Sequence, residues 1–366
     1  MHKQILLITI ISHFFMNANA EISDMSTEIE KDYISVIEKS DLISSGNPLE
    51  GGYNELVPYV IPAPHQEDAG SCLYMSHTGV IEWWLNKLNR KNNIDLSERY
   101  YMALKTERTN QDNIDNWRTD NVRRLNKYSK MVQNSDYPFT KGHFKRKDGK
   151  RVVTSANDED ALYGTAYNWI TQRKLISQNK LINIPKFKRE VIFADDQRNQ
   201  WNVAVAPLNI SEQIKNALKK NKAPVLVIYN HKGFWHANYI FGYNDKIKHN
   251  CPFSSSFAPR MREKAQGYED DAMKTTSKKK RRRLLKKAAS YRERAQKVED
   301  RFNRIGCSNK GAFYVRDSIY ADESMPVYDY YTLNNEDDRN LNSPLILREF
   351  EWPILTLNHA IQIFPL

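Results

Sequence analysis

The sequence is poor in cysteine and, beyond its first 20 residues, in long apolar runs. Three cysteines in 366 residues predict one disulfide and one cysteine left over if the chain is in an oxidising compartment. No later apolar stretch approaches the roughly 20 residues of a membrane-spanning helix, so we expect no transmembrane segment. The chain also lacks internal repeats, a glycine loop that could cradle phosphate, and histidine pairs with metal-ligand spacing. We therefore expect no metal and no other cofactor.

Residues 1–20 have the pattern of a secretory signal peptide. Lys3 precedes an apolar run from Ile5 to Phe15, and a small-x-small cleavage site ends at Ala20. We expect cleavage there, which would make the mature protein secreted or periplasmic. Residues 21–50 are acidic and polar. Their composition is compatible with a linker, a short propeptide or a strap, and the sequence alone leaves these alternatives open.

The most informative motif surrounds Cys72, which follows Gly-Ser and begins a helix-like stretch. At a helix N-terminus, free N–H groups and the positive end of the dipole stabilise a thiolate. Gln66 lies six residues earlier, where its amide can complete an oxyanion hole with the Cys72 N–H. This pattern predicts a nucleophile. We also expect the helix to bury one apolar face, made by Trp83, Trp84, Leu85 and Leu88.

A partner histidine and an orienting carboxylate follow in chain order. His236 begins the alternating stretch His-Ala-Asn-Tyr-Ile-Phe-Gly-Tyr, which predicts a strand with this histidine at its start. A second strand-like run from Gly311 ends at Asp317. An aspartate there can accept the ring N–H of His236 and fix its tautomer. Resemblance to the papain family of cysteine peptidases, whose asparagine aligns with Asp317, implies that the three residues form a Cys-His-Asp triad.

In this order, the motifs resemble the papain family of cysteine peptidases over residues 51–366. Asp95–Glu98 and Ala166–Ile170 are similar to helical segments of the family's left lobe. The resemblance implies an α+β fold of two lobes: a helical left lobe with the nucleophile helix, and a right lobe formed by an antiparallel, barrel-like sheet. It also implies a thiol protease acting on protein or peptide substrates.

Several residues depart from the family pattern. Asp317 stands in place of its asparagine, Leu73 in place of a tryptophan, and Asp160-Ala161 in place of a glycine pair that borders the substrate groove. The machinery matches while the groove does not. Two alternatives therefore stay open: a transglutaminase-like acyl transferase on the same architecture, and a catalytically silent papain-like module that binds through an inserted segment.

That insertion separates the predicted histidine and aspartate strands, at about residues 252–306. Residues 259–306 contain 17 Lys or Arg and seven Asp or Glu, a net charge of +10, and the whole chain carries +11. The composition predicts a helical hairpin, and a Cys251–Cys307 disulfide would close its base. The basic Lys278–Lys287 run is compatible with an anionic surface or polymer as partner, or with a solvated charged helix pair.

Overall fold

The computed structural model describes residues 52–61, 72–91, 93–98, 100–101, 130–137, 144–147, 150–153, 176–195, 202–231, 233–318, 328–329 and 344–366. Gln66, the signal-peptide stretch, residues 21–50, Asp160-Ala161 and Ala166–Ile170 lie outside these ranges. The predictions made for those residues therefore stay predictions.

Five α-helices and eleven strands occur in the described ranges. The helices are α1 (Cys72–Asn89), α2 (Ile210–Asn221), α3 (Pro252–Lys274), α4 (Lys278–Ile305) and α5 (Glu351–Thr356). The strands are β1 (Lys130–Met131), β2 (Phe144–Lys147), β3 (Lys150–Val153), β4 (Ile182–Asn183), β5 (Phe187–Ala194), β6 (Val225–His231), β7 (Phe234–Lys248), β8 (Lys310–Arg316), β9 (Tyr328–Asp329), β10 (Pro344–Glu349) and β11 (Leu357–Pro365). Short 3-10 turns occupy Val57–Tyr59, Asn134–Asp136 and Gln178–Lys180.

One seven-stranded antiparallel sheet organises the fold, in the order β5-β11-β6-β7-β8-β10-β9. The mixture of helices with an antiparallel sheet confirms the coarse prediction. The expected barrel-like closure is wrong, because the sheet is open. Closure would require β5 to pair with β9, and β9 contributes only two residues to the described sheet. Two separate two-stranded ladders join β1 to β4 and β2 to β3.

The central strands β6 and β7 carry helices on both faces. Side chains alternate along a strand, so cross-strand partners share a face. Ile228 and Ala237 are such partners, and they pack with Cys72 of α1. Tyr229 occupies the opposite face and packs edge-on against Trp352 of α5, with ring centroids 4.8 Å apart. The functional residues predicted from sequence therefore lie near the middle of a layered core.

Helix α1 is held in the core by its tryptophans. The indole N–H of Trp83 donates to the Leu56 carbonyl, and that of Trp84 donates to the Ile363 carbonyl, each at 2.7 Å. Leu85 is buried with them. Leu88, predicted to share this face, is instead 57% exposed. It lies in the last turn, where the helix has passed beyond its packing partners.

Helices α3 and α4 form an antiparallel hairpin inserted between β7 and β8. Small and aliphatic residues fill its seam, including the buried Ala265, Ala288, Ala295 and Val298. Cys251 and Cys307 are disulfide-bonded at its base, as predicted, with their Cα atoms 5.9 Å apart. Within the described ranges, no helix combines the length and apolar composition needed to cross a bilayer.

Candidate active site

Cys72 is the first residue of α1 and the only described cysteine outside the disulfide. Its side chain is buried in a small cluster with Leu73, Ile228 and Ala237, against which Trp235 packs. Trp235 and Ala237 flank His236, so the backbone of β7 passes the first turn of α1. The His236 ring itself lies on the Tyr229 side of the strand, since the two residues are cross-strand partners with ring centroids 5.5 Å apart. Cys72 is nevertheless near enough to the ring to affect its charge state.

Ser76 ties the first turn of α1 to β7. Its Oγ lies 2.7 Å from the Cys72 carbonyl oxygen and 2.7 Å from the Ala237 carbonyl oxygen. The side chain is buried, so this hydroxyl is shared between a helix carbonyl and a strand carbonyl. Sequence reasoning missed Ser76, although its position one turn after Cys72 places the two on the same face of a helix.

His236 and Asp317 form a buried pair. The His236 Nε2 lies 2.6 Å from Asp317 Oδ1, and both side chains are almost fully buried. This contact uses one ring nitrogen. The other, Nδ1, is also buried and has no hydrogen-bond partner among the described residues. The ring is therefore oriented by the carboxylate and presents a free nitrogen.

The charge state of His236 follows from its surroundings. Burial lowers the pKa of the imidazole. The charge and hydrogen bond of Asp317, together with the adjacent Cys72 thiol, raise this pKa by more than burial lowers it, to about 9. Cys72 therefore lies close enough to raise the pKa of the ring, and the His236 Nδ1 makes no hydrogen bond to a described residue. The environment favours the imidazolium at neutral pH.

A second layer of polar side chains holds Asp317. Asn238 Nδ2 donates to Asp317 Oδ2 at 3.1 Å and lies 3.2 Å from the Tyr229 hydroxyl. Burial raises the pKa of Tyr229 well above its usual value, with a further contribution from the Asp317 charge. The phenol therefore stays neutral beside the carboxylate. Asn238 was also missed, although its spacing of two from His236 predicts that both share a strand face.

Arg316, the residue before Asp317, anchors the same strand to α1. Its guanidinium donates to the Ile61 carbonyl at 2.6 Å and the Met75 carbonyl at 2.8 Å, and lies 3.3 Å from Glu82 Oε2. All of these side chains are buried. Glu98, from the segment predicted as a family helix, lies 3.9 Å from the same guanidinium. One cation therefore faces two buried carboxyl groups.

The balance of this cluster is set by burial. Burial raises the pKa of Glu82 well above its usual range and that of Glu98 to about 8, although Arg316 lowers both. Neither carboxyl is therefore an ordinary surface acid. The cluster lies beside α1 rather than at His236, so its role in the fold is to join α1 to β8.

Three described side chains lie close enough together to hold a metal ion: His249, Cys251 and Cys307, with ligand atoms within 4.8 Å of one another. Both cysteines are used in the disulfide. Both ring nitrogens of His249 are also engaged, Nε2 with the Gly311 carbonyl at 2.9 Å and Nδ1 with the Cys251 N–H at 3.1 Å. This group is accounted for by the structure of the hairpin base, and we assign no metal to it.

Comparison with models of known protein families gave no match, and comparison with curated proteins gave none either. The case for a function therefore rests on the arrangement of Cys72, His236 and Asp317, together with the residues that hold them.

Proposed function

We propose that this protein is an exported cysteine hydrolase of papain-like, two-lobe architecture, most simply a peptidase. The observation that carries the proposal is the buried 2.6 Å pair between His236 and Asp317, with a free His236 Nδ1 on the ring that Cys72 adjoins. This arrangement supplies a nucleophile, a base and an orienting group in one place.

The reaction follows from these positions. The Cys72 thiolate attacks the substrate carbonyl carbon, and the charge that develops on the oxygen is held by the Cys72 N–H and the Gln66 amide. His236 gives its proton to the leaving amine, and a thioester remains on Cys72. Water then attacks the thioester, His236 takes a proton from that water, and the acid product leaves with the thiolate restored. Asp317 fixes the ring throughout.

Export belongs to the same proposal and rests on residues 1–20 alone. Cleavage after Ala20 would leave Glu21 as the first residue. N-terminal sequencing of the protein recovered from the outside of an expressing cell tests this. A retained Met1 on the exported protein would contradict it.

A second candidate function is acyl transfer, in which an amine replaces water as the attacking group. The feature that favours it is Asp317, since a Cys-His-Asp order also occurs in transglutaminase-like enzymes. A glutamine donor peptide and a labelled amine acceptor would separate the two reactions. Incorporation of the amine at a rate above hydrolysis would favour the transferase, and hydrolysis alone would favour the peptidase.

The third alternative is a catalytically silent papain-like module. Covalent labelling of Cys72 distinguishes this module from an enzyme. We expect an epoxide or vinyl sulfone probe to label the folded protein at one site, with labelling lost in Cys72→Ser. His236→Gln should slow labelling by about 100-fold or more, because the base contributes roughly that much. The matched control is His249→Gln, which removes a ring at the hairpin base. Absence of labelling in folded, processed, reduced protein would refute the enzyme.

A further inference from the structure

The end of the α3–α4 hairpin, residues 272–287, is the most strongly charged part of the chain, and the proposed hydrolase has no use for it. We propose that this hairpin tip is a docking site for bilayers that contain anionic phospholipid. The inference is independent of the chemistry at Cys72.

Charge of one sign is concentrated at the tip. Residues 272–287 contain nine Lys or Arg and no Asp or Glu. Lys278, Lys279, Lys280, Arg281, Arg282 and Arg283 are all exposed. Each basic side chain near an anionic membrane surface adds attraction, and the contributions accumulate. A tip of this kind is complementary to a negatively charged surface.

Helix stability does not explain this placement. The six consecutive cations occupy the first turns of α4, where the positive end of the helix dipole favours acidic residues and disfavours basic ones. Arg281 closes the turn, since it donates to the Ala272 and Thr275 carbonyls. The other five side chains are exposed and bond to no carbonyl of this turn among the described residues, so they oppose the helix dipole without bracing the turn, which favours selection for an external anion.

All seven acidic residues of the hairpin lie outside the tip, and four of them, Glu263, Glu269, Glu293 and Glu299, pair with cations there. Glu269 binds Arg292 at 2.6 Å across the hairpin, and Glu299 binds Arg262 through both carboxylate oxygens. These pairs brace the two helices against each other. They leave the positive charge of the tip uncompensated by the hairpin's own carboxylates.

Two exposed apolar side chains favour a bilayer over a nucleic acid. Met273 is 72% exposed and Leu285 is 47% exposed, and both lie among the tip cations. Apolar side chains bordered by Lys and Arg are typical of segments that enter the headgroup boundary. Nucleic-acid surfaces instead use aromatic rings for stacking. The nearest ones, Tyr268 and Tyr291, pack on each other with centroids 5.4 Å apart.

The tip lies well along the hairpin from its contact with the sheet. Tyr291 donates to the Gly233 carbonyl at 3.0 Å and so fixes α4 against the β6–β7 turn. Helix α4 begins 13 residues before Tyr291, which at 1.5 Å per residue is about 20 Å of helix. That separation exceeds the Debye length of about 8 Å at physiological ionic strength, so charges near the β6–β7 turn are screened from the tip.

Vesicle co-sedimentation of the processed protein, from Glu21 onward and carrying Cys72→Ser, tests the proposal without any contribution from catalysis or from the signal peptide. We expect binding to vesicles of phosphatidylcholine with 30% phosphatidylglycerol at about 0.1 M salt, loss of most of it at about 0.5 M salt, and negligible binding to pure phosphatidylcholine. Replacing five tip cations by glutamine should lower the partition coefficient by at least about 100-fold. The five positions are Lys278, Lys279, Lys280, Arg282 and Arg283, which leaves Arg281 in place.

A matched control removes the same charge from exposed positions elsewhere. It replaces Lys186, Lys220, Lys246, Lys248 and Lys310 by glutamine, and we expect less than about a threefold change. A double variant, Met273→Ser with Leu285→Ser, should weaken vesicle binding by about tenfold and leave binding to duplex DNA unchanged. Circular dichroism checks that helix content is retained in every variant.

Three outcomes would overturn the proposal. The first is that the tip variant binds anionic vesicles as well as the parent does. The second is that the control variant loses as much vesicle binding as the tip variant. The third is that the protein binds duplex DNA more tightly than vesicles and that the Met273→Ser, Leu285→Ser variant binds vesicles as well as the parent. The last result would identify the tip as a general polyanion site. None of these outcomes bears on labelling of Cys72, so this proposal and the proposed hydrolase fail or stand separately.

Discussion

Replacing Asp317 by asparagine tests the electrostatics of the candidate site directly. Asparagine keeps an oxygen that can accept the His236 Nε2–H, so the ring should hold its tautomer. The substitution removes the negative charge 2.6 Å from that ring. It also introduces the residue that the papain family carries at this position. The Asn238 amide now donates to Asp317 Oδ2 at 3.1 Å, so it must turn its oxygen toward the new NH2 group. With that contact restored, the lost negative charge is the main change at the His236 ring.

The magnitude follows from the pKa of His236. Burial lowers this pKa, and Asp317 and Cys72 raise it to about 9 from an ordinary value of 6.5. A raised pKa of that size corresponds to roughly 3 kcal/mol in favour of the imidazolium. An opposite charge in contact accounts for a change of about 1–3 pH units. We therefore expect the pKa of His236 in Asp317→Asn to fall by that amount, toward or below 6.5.

The same reasoning predicts a pH dependence of stability. A histidine whose pKa is higher in the folded than in the unfolded state contributes stability that is complete below about 6.5 and is lost as pH rises to about 9. The free energy of unfolding of the parent should therefore fall across pH 6.5–9 by up to roughly 3 kcal/mol from this residue. In Asp317→Asn most of this pH-dependent loss should disappear.

Carbon-detected NMR of labelled histidine measures the titration, and His236→Gln identifies the resonance. Urea unfolding at a series of pH values measures the second effect. The matched control is Asp245→Asn, which removes the same charge from an exposed side chain on β7, and which should leave the His236 titration within about 0.3 pH units. If His236 still titrates near pH 9 in Asp317→Asn, the carboxylate is not what protonates the ring and the reasoning is wrong.

Two further predictions concern the cluster that joins α1 to β8. A Cβ at Gly79 would lie 2.5 Å from Arg316 Nη1, so Gly79→Ala should lower the free energy of unfolding by about 2–4 kcal/mol. The control is Gly267→Ala, where a Cβ meets nothing within 4 Å and should raise the free energy of unfolding by up to about 1 kcal/mol. Equal effects of the two substitutions in urea unfolding would contradict this. Burial raises the pKa of Glu98 to about 8 from 4.5, so its protonated form contributes stability below about pH 4.5 that is lost as pH rises to about 8. Glu98→Gln should therefore gain roughly 3–5 kcal/mol relative to the parent over that range, while the exposed control Glu55→Gln should show a constant difference.

The triad members were accessible from sequence because their signals are local. A cysteine at the start of a helix, a histidine at the start of a strand and an aspartate at the end of the next strand each carry a recognisable pattern. The structure brings Cys72, His236 and Asp317 together in that arrangement.

The supporting residues depend on register and packing, which the sequence does not encode locally. Asn238 reaches Asp317 because β7 and β8 pair with Tyr239 opposite Arg316. The sequence around Arg316 predicts only an ordinary cation on a strand, because its burial depends on the packing of α1. The open sheet could not be predicted from the sequence either. Strand β11, near the end of the chain, pairs between β5 and β6, and a pairing between residues so far apart in sequence leaves no local pattern.

The register of β7 and β8 also explains why the three predicted residues meet. The pairing of the two strands starts at Tyr239 opposite Arg316, so β8 has ended before β7 reaches Ala237. At that point the Ala237 carbonyl accepts from Ser76 of α1 instead of from a strand. Helix α1 thus begins near the end of β8, and the two elements bring Cys72 and Asp317 toward the same histidine. Ser76 and Arg316 both hold the first turns of α1, at Ser76 Oγ and the Met75 carbonyl, and Arg316 also reaches Glu82 further along the helix. These contacts limit the motion of Cys72 relative to His236. A nucleophile fixed in this way favours a preorganised site.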